Sequence, residues 1–319
     1  KIVIELIGGI HPAKEIILKA LQKGKDVVTA NKALLADSMQ ELLKTAKRYQ
    51  KNICFEASVG AGIPIIKALR EGLVANRINA IYGIVNGTSN FILSKMQEDN
   101  LSFQDALKEA KHRGYAERHP VFDIEGIDSA HKLAVLAYLA FGRFIKIKDI
   151  FTEGISEISL ADIRYVDELG LKIKLLAIAK RDSQELEVRV HPTLISKDHL
   201  LSSVSGVYNA IYIDGDLVGD LLFYGRGAGQ NSTASAVVSD IVDLARAQDK
   251  ACLFNFAQPK TIKSLRKINQ IKSRYYIRIM AIDKPGVLSK ISGILAAQKI
   301  SIASVTQKER RRAKIVPVV

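Results

Sequence analysis

The sequence predicts an α/β protein: part of a doubly wound parallel sheet, then an α+β domain on an open mixed sheet, then an incomplete βαβ module. Three observations carry this. Short apolar stretches alternate with amphipathic helical ones from Lys1 to about Gly60. Alternating apolar and polar stretches follow in the middle of the chain, as in "LEVRVHPTLI", "VYNAIYIDG" and "GDLLFYG". Near the end, "YYIRIMAIDKPGVLSKISGILAAQKISIASVTQ" reads as strand, Pro-Gly turn, helix and strand.

In order, "KIVIELIGG" reads as a buried strand closed by two glycines, and "AKEIILKALQKG" as a helix ending at Gly24. "KDVVTANK", "ELLKTAKRYQK" and "NICFEASVG" continue as strand, helix and strand. Crossovers of this length imply parallel pairing, so the opening resembles the later half of a Rossmann-type dinucleotide fold. No G-x-G-x-x-G loop, the usual pyrophosphate cradle, occurs anywhere in the sequence. A helix is expected at "PIIKALREGL", a strand at "INAIYGIVNG", a helix after "TSNFI", and a longer one over "DSAHKLAVLAYLAF". "GRGAGQNSTASAVVSDIVDLA" reads as a glycine loop entering a helix capped by Ser232 or Thr233, a place that favours an anion. Residues from Arg246 to Lys272 read as a linker, and "IVPVV" as the start of another strand.

Composition narrows the function classes. The chain has 319 residues, 48% of them hydrophobic, enough for two or three packed domains. Its longest apolar runs fall well short of the roughly 20 residues that span a bilayer, which excludes a membrane helix. Cys54 and Cys252 are the two cysteines, too few and too far apart for a disulfide framework or a CxxC site, which suits the cytoplasm. A net charge of +14 raises nucleic-acid binding as a reading. The lysines are dispersed along helix faces, however, and only "KERRRAK" (Lys308 to Lys314) forms a compact run, so no nucleic-acid partner is expected.

The densest chemistry lies in "GYAERHPVFDIEGIDSAHKLAVLA", where Glu117, Asp123, Glu125 and Asp128 precede Lys132. Asp128 and Lys132 are four apart, so they share one helix face in the favourable acid-first order. An ordinary surface pair of that spacing contributes about 0.3–0.5 kcal/mol. Here the helix continues as apolar core, and acids around a lysine keep it protonated, the state of a proton donor.

"VTANKALLA", "FEASVGAGIPIIKAL", "IVNGTSNFIL", "GYAE", "DIEGIDSAHKLAVLA" and "GRGAG…TASAVVSDI" occur in one order, and together they resemble homoserine dehydrogenase across residues 2 to 245. The tail from Tyr275 resembles the first half of a ferredoxin-like ACT domain. The resemblance implies residues 1–58, completed by 225–245, as a partial NAD(P)-binding domain. It makes 59–224 the catalytic and dimerisation domain, 246–272 a linker and 273–319 a partial ACT module. It also implies that the family's first nucleotide-binding strands and its Gly-rich loop are absent here, so the chain is expected to be a fragment with impaired cofactor binding.

What the family likeness implies chemically is reversible, NAD(P)-dependent interconversion of L-aspartate 4-semialdehyde and L-homoserine, in threonine, methionine and isoleucine biosynthesis. It gives Lys132 the proton-donor role with Asp128 beside it, and places Glu117, Asp123, Asp128 and Thr88 around the substrate. Glu125 is expected to be solvated. Lys32, Gly114, Gly227 and Gly229 fall to the cofactor, which is NADP or NAD. A sodium ion falls to Glu56 and the backbone at Val59, Ala61 and Ile63. A homodimer and a threonine effector on the ACT module are implied as well. The chain departs from the family at "AERHP", where Arg118 and His119 replace a small residue and an acid and are expected to compete for Glu117. Two other readings stand beside the enzyme: a non-catalytic amino-acid-sensing or assembly protein of the same fold, and a basic nucleic-acid binder.

Overall fold

The computed structural model describes residues 1–246, 262–308 and 315–319. They form two compact units, Lys1–Ile271 and Lys272–Val319.

The first unit opens with β1 (Ile2–Glu5), α1 (Ala13–Gln22), β2 (Asp26–Thr29), α2 (Lys32–Arg48) and β3 (Ile53–Cys54). The strands pair in parallel in the order β1-β2-β3, as the alternation of short strands and helices requires. Helix α1 buries Ala13, Ile17, Ala20 and Leu21, one apolar stripe at helical spacing. Strand β1 differs from expectation. Among the described residues it pairs only with β2, at one edge of the sheet, and Ile4 is 47% exposed, so its apolar run is not fully buried.

Next come α3 (Ile65–Lys67), widening into a π turn at Ala68–Gly72, then β4 (Ile78–Ile84), α4 (Gly87–Glu98), α5 (Phe103–His112), α6 (Val121–Ile124) and α7 (Ile127–Phe141). After them run β5 (Phe151–Thr152), α8 (Leu160–Glu168), β6 (Leu171–Asp182), β7 (Glu185–Ser196), β8 (Tyr208–Gly215), β9 (Gly219–Arg226), α9 (Gln230–Arg246) and β10 (Ser264–Leu265). These strands form the mixed sheet β10-β7-β6-β4-β8-β9, with β5 also paired to β7. The β4, β6, β7, β8 and β9 pairings are antiparallel, and β5 and β10 join β7 in parallel. Helix α7 is buried along most of its length, which is why its sequence is apolar on every side.

Helix α9 returns to the first sheet, where Val237 packs with Val28 and Cys54. It begins at Gln230, so Ser232 and Thr233 lie inside its first turn rather than capping it; the Thr233 N–H donates to the Gly229 carbonyl at 2.9 Å. Of the stretch expected as a linker, 247–261 lies outside the described residues, while Ser264 and Leu265 extend the mixed sheet beside Glu185 and Leu186.

The second unit pairs β11 (Ile279–Ile282) with β12 (Ile315–Val318) in antiparallel fashion, with α10 (Val287–Ala297) between them in sequence. "KISIASVTQ" carries no assigned strand; only Thr306 exchanges backbone hydrogen bonds with Val319. The basic run Lys308 to Lys314 lies outside the described residues from 309 onward. Among the described residues, no helix is long and apolar enough to cross a membrane.

Candidate active site

Four elements meet at one buried ion pair. Helix α7 starts because Gly126 adopts φ +77° and turns the chain sharply; a Cβ there would meet Val190 Cγ1 at 3.1 Å and Thr152 Cγ2 at 3.2 Å. Left-handed backbone costs an L-residue about 1–2 kcal/mol. Gly126→Ala is therefore expected to destabilise the fold by at least that much, read as a lower midpoint in thermal melts.

The turn sets Asp128 in the first turn of α7, where the helix dipole favours an anion. Lys132, one turn on, donates to Asp128 Oδ2 at 2.7 Å, and the two side chains are only 10% and 8% exposed. Lys132 Nζ also donates to the Val85 carbonyl at 2.7 Å, at the end of β4. A lysine ammonium carries three N–H groups. Two are engaged here among the described residues, which leaves one for an incoming oxygen.

From the first sheet, Lys32 reaches Asp128 Oδ1 at 2.9 Å. It opens α2 immediately after Asn31, whose Oδ1 accepts from the Leu34 N–H at 3.1 Å and whose Nδ2 donates to the Gly9 carbonyl at 2.6 Å. Thr29 Oγ1 donates to the buried Glu5 carboxylate at 2.7 Å, whose other oxygen accepts from the backbone N–H groups of Ile7 and Gly8. The carboxyl ends of β1 and β2 are thus laced together. That edge is where open α/β sheets collect ligands.

Asn86 lies between the acids, donating Nδ2 to Asp123 Oδ1 at 2.7 Å and to Asp128 Oδ2 at 2.9 Å. Burial alone would raise the Asp128 pKa, but Lys132 and Lys32 outweigh it and hold the carboxyl well below the usual carboxylate range. Asp123 is shifted upward, chiefly by burial, with the neighbouring Asp128 charge adding to it. His131 is shifted downward, mainly by burial.

The other sequence-assigned residues are placed less tightly. Glu117 is exposed and has no ion pair among the described residues, so neither Arg118 nor His119 captures it. Thr88 is half-buried and donates its hydroxyl proton to the Tyr115 carbonyl at 2.6 Å, tying α4 to the loop after α5. Glu125 is not simply solvated: it is half-buried, and its carboxylate lies so close over Gly154 that a Cβ there would sit 2.6 Å from Oε2. Gly114 ends α5 at φ +73° with open space around it.

A second cluster follows β3. Glu56, Val59, Ala61 and Ile63 are all buried, and the Glu56 carboxylate accepts from the Ile66 N–H at 2.9 Å and the Lys67 N–H at 2.8 Å. Burial pushes its pKa up to about 7. The Ala61 and Gly62 N–H groups donate to the Gly227 and Arg226 carbonyls at 3.1 and 2.9 Å, joining this turn to the Gly225–Gly229 loop. A Cβ on Gly227 would fall 1.8 Å from Asn209 Nδ2, so only glycine fits. Asn209 Oδ1 is buried and has no hydrogen-bond partner among the described residues. Among the described residues no group of three His, Cys, Asp or Glu side chains could hold a metal ion, so any cation here depends on backbone carbonyls and one carboxylate.

Asn31 and Asn86 were not among the expected site residues. Each is an asparagine directly before a helix, in "TANK" and "VNGTSN", and the N-cap preference was the available signal.

Comparison with known proteins matches residues 64–242 to the homoserine dehydrogenase family, 1–56 to the homoserine dehydrogenase NAD-binding domain, and 275–319 to the ACT domain. Homoserine dehydrogenase of Pseudomonas aeruginosa is 48% identical over 100% of this chain and 75% of its own length. That of Helicobacter pylori is 49% identical over 99% of this chain and 75% of its own. The crystal structure of a homoserine dehydrogenase from Thiobacillus denitrificans superposes with a TM-score of 0.92 at 47% identity, covering 100% of this chain and 74% of that one. A hyperthermophilic archaeal homoserine dehydrogenase in complex with NADPH gives 0.68 at 33% identity, over 77% of this chain and 71% of that one. With a nicotinamide-cofactor domain, a catalytic domain and an ACT domain in sequence, this chain belongs to the homoserine dehydrogenase family, oxidoreductases of amino-acid biosynthesis.

Proposed function

We propose that the buried Lys132–Asp128 pair is the centre at which L-aspartate 4-semialdehyde is reduced to L-homoserine. The observation that carries this is one N–H left free, among the described residues, on a lysine fixed by Asp128 and the Val85 carbonyl, with Lys32 from the end of the parallel sheet on the same carboxylate. The nicotinamide cofactor, when bound, supplies the hydride. Lys132 then gives its proton to the oxygen that gains charge at the reacting carbon, forming an O–H bond and leaving a neutral amine. Asp128 holds the ammonium in place before transfer.

Asp123, Asp128 and Glu117 take the substrate's ammonium by charge-assisted hydrogen bonds. The first N–H groups of α4 suit its carboxylate, and the Thr88 hydroxyl joins them by turning away from Tyr115. Lys32, Gly114, Gly227 and Gly229 hold the cofactor. The Gly227 backbone packs against Asn209 too closely for any side chain. The reductant is NADPH or NADH. The test is NADPH and NADH oxidation at 340 nm by the full enzyme with aspartate semialdehyde; turnover with neither nucleotide overturns the assignment.

A sodium ion fits the Glu56 cluster because every available donor is oxygen, the chemistry of a hard cation, and a cation would favour the ionised Glu56 carboxylate. Sodium chloride is then expected to raise the melting temperature above that in equimolar choline chloride. Glu56→Gln should remove the difference. In the second unit, an open pocket of about 540 Å³ has Asp283, Lys284 and Gln307 on an otherwise largely apolar lining and is the place for a small zwitterion such as threonine, which calorimetric titration tests. The reading also takes the chain as a cytoplasmic homodimer, to be checked by sedimentation.

A further inference from the structure

Asn86 sits at the junction of β4 and α4, 6% exposed, and every polar atom of its carboxamide is engaged. Its Oδ1 accepts from the Ser89 N–H at 2.8 Å and so caps α4. That bond fixes which end of the amide faces the acids. Its Nδ2 then spans Asp123 on α6 and Asp128 on α7.

The preceding residue completes the arrangement. The Val85 carbonyl accepts from Lys132 Nζ at 2.7 Å, so two successive residues grip the two halves of the ion pair: backbone on the amine, side chain on the carboxylate. Asp128 Oδ2 accepts from both Lys132 and Asn86, while Oδ1 faces Lys32. Ser89 Oγ, donating to the Asp123 carbonyl at 2.8 Å, ties α6 to the same turn of α4.

We propose that Asn86 is a positioning residue for the proton transfer: by pinning Asp128 Oδ2 and keeping Asp123 apart from it, the carboxamide aims the remaining N–H of Lys132 at the substrate oxygen. Two carboxylates this close repel unless a donor lies between them. Without that donor, Asp128 keeps Lys32 on Oδ1 and Lys132 on Oδ2 but loses its third hold, so the carboxylate tilts about its χ2 and shifts the Lys132 ammonium with it. Misplacement of a reacting group by about an ångström costs on the order of 10²-fold in rate. The proposal rests on Lys132 as the proton donor.

Two substitutions separate capping from positioning, because Asp and Ser are both good N-caps. Asn86→Asp keeps the cap and presents a third carboxylate where a donor stood. Asn86→Ser keeps the cap but is too short to bridge the acids. In the full enzyme Asn86→Ser is expected to melt within a few degrees of the unsubstituted protein, and Asn86→Asp lower, because it buries a third carboxylate beside two others. Both should lower kcat by about 10- to 100-fold, by a larger factor than they raise KM for aspartate semialdehyde, with KM for NADPH within about twofold. If either variant is folded and keeps kcat within about twofold, or if both lose activity only in proportion to folded protein, the proposal is overturned. Lys132→Met, measured alongside, distinguishes the two failures. Full activity there removes the donor assignment itself, whereas an inactive Lys132→Met beside active Asn86 variants removes the role of Asn86 alone.

Discussion

Lys132→Met is expected to lower kcat for aspartate semialdehyde by about 10²–10⁴-fold, the range a positioned general acid contributes. Methionine keeps the apolar stem and nearly the volume of the lysine, so the packing of α7 is retained. Asp128 also retains partners, since Lys32 still meets Oδ1 at 2.9 Å and Asn86 still meets Oδ2 at 2.9 Å. The loss should therefore fall on turnover rather than on folding. Steady-state kinetics beside a thermal melt separates these, and a variant within tenfold of normal kcat would deny Lys132 the donor role.

Asp128→Ala should damage the fold as well as the chemistry. It leaves the Lys132 ammonium buried with only the Val85 carbonyl, and removing one partner of a buried pair costs about 3–5 kcal/mol. That corresponds to a fall in melting temperature on the order of 10 °C. The penalty should depend on pH in a definite direction. The folded Asp128 carboxyl titrates below its ordinary range, since Lys132 and Lys32 overcome the upward push of burial. Its contribution is thus complete above the unfolded value, about 3.9, and is lost as pH falls from there towards the folded value. The gap between the unsubstituted protein and Asp128→Ala should be wide at pH 7 and narrower at pH 3.5; a gap independent of pH would contradict the charged pair.

The sequence already contained the Asp128–Lys132 face, because a four-residue spacing on an apolar helix admits one geometry. It also contained the parallel order of the first three strands, since helical crossovers dictate it. Other features depended on tertiary neighbours. "IVIELI" has the composition of a buried strand, yet exposure of Ile4 follows from having β2 on one side alone. The long strand Leu171–Asp182 was not among the expected strands, because "LKIKLLAIAK" lacks the strict alternation that marks a half-buried strand. It is covered on both faces over its middle, so alternation is absent for a physical reason. Asn86 escaped notice because its partners lie 37 and 42 residues away, and no local pattern connects an N-cap to acids at that distance. Glu117 shows the reverse case: the motif marks it strongly, while its carboxylate stands exposed and unpaired among the described residues.

Turnover by this family member is ascribed to one ammonium held ready to protonate the oxygen of the aldehyde that is reduced. The most direct measurement is a crystal structure of the full enzyme with homoserine and oxidised cofactor. The expected result is Lys132 Nζ within hydrogen-bond reach of the homoserine hydroxyl oxygen, about 2.6–3.2 Å, with its bonds to Asp128 and Val85 intact. A hydroxyl oxygen contacted by another donor, with the Lys132 amine still turned to its two protein partners and out of reach, would contradict the account.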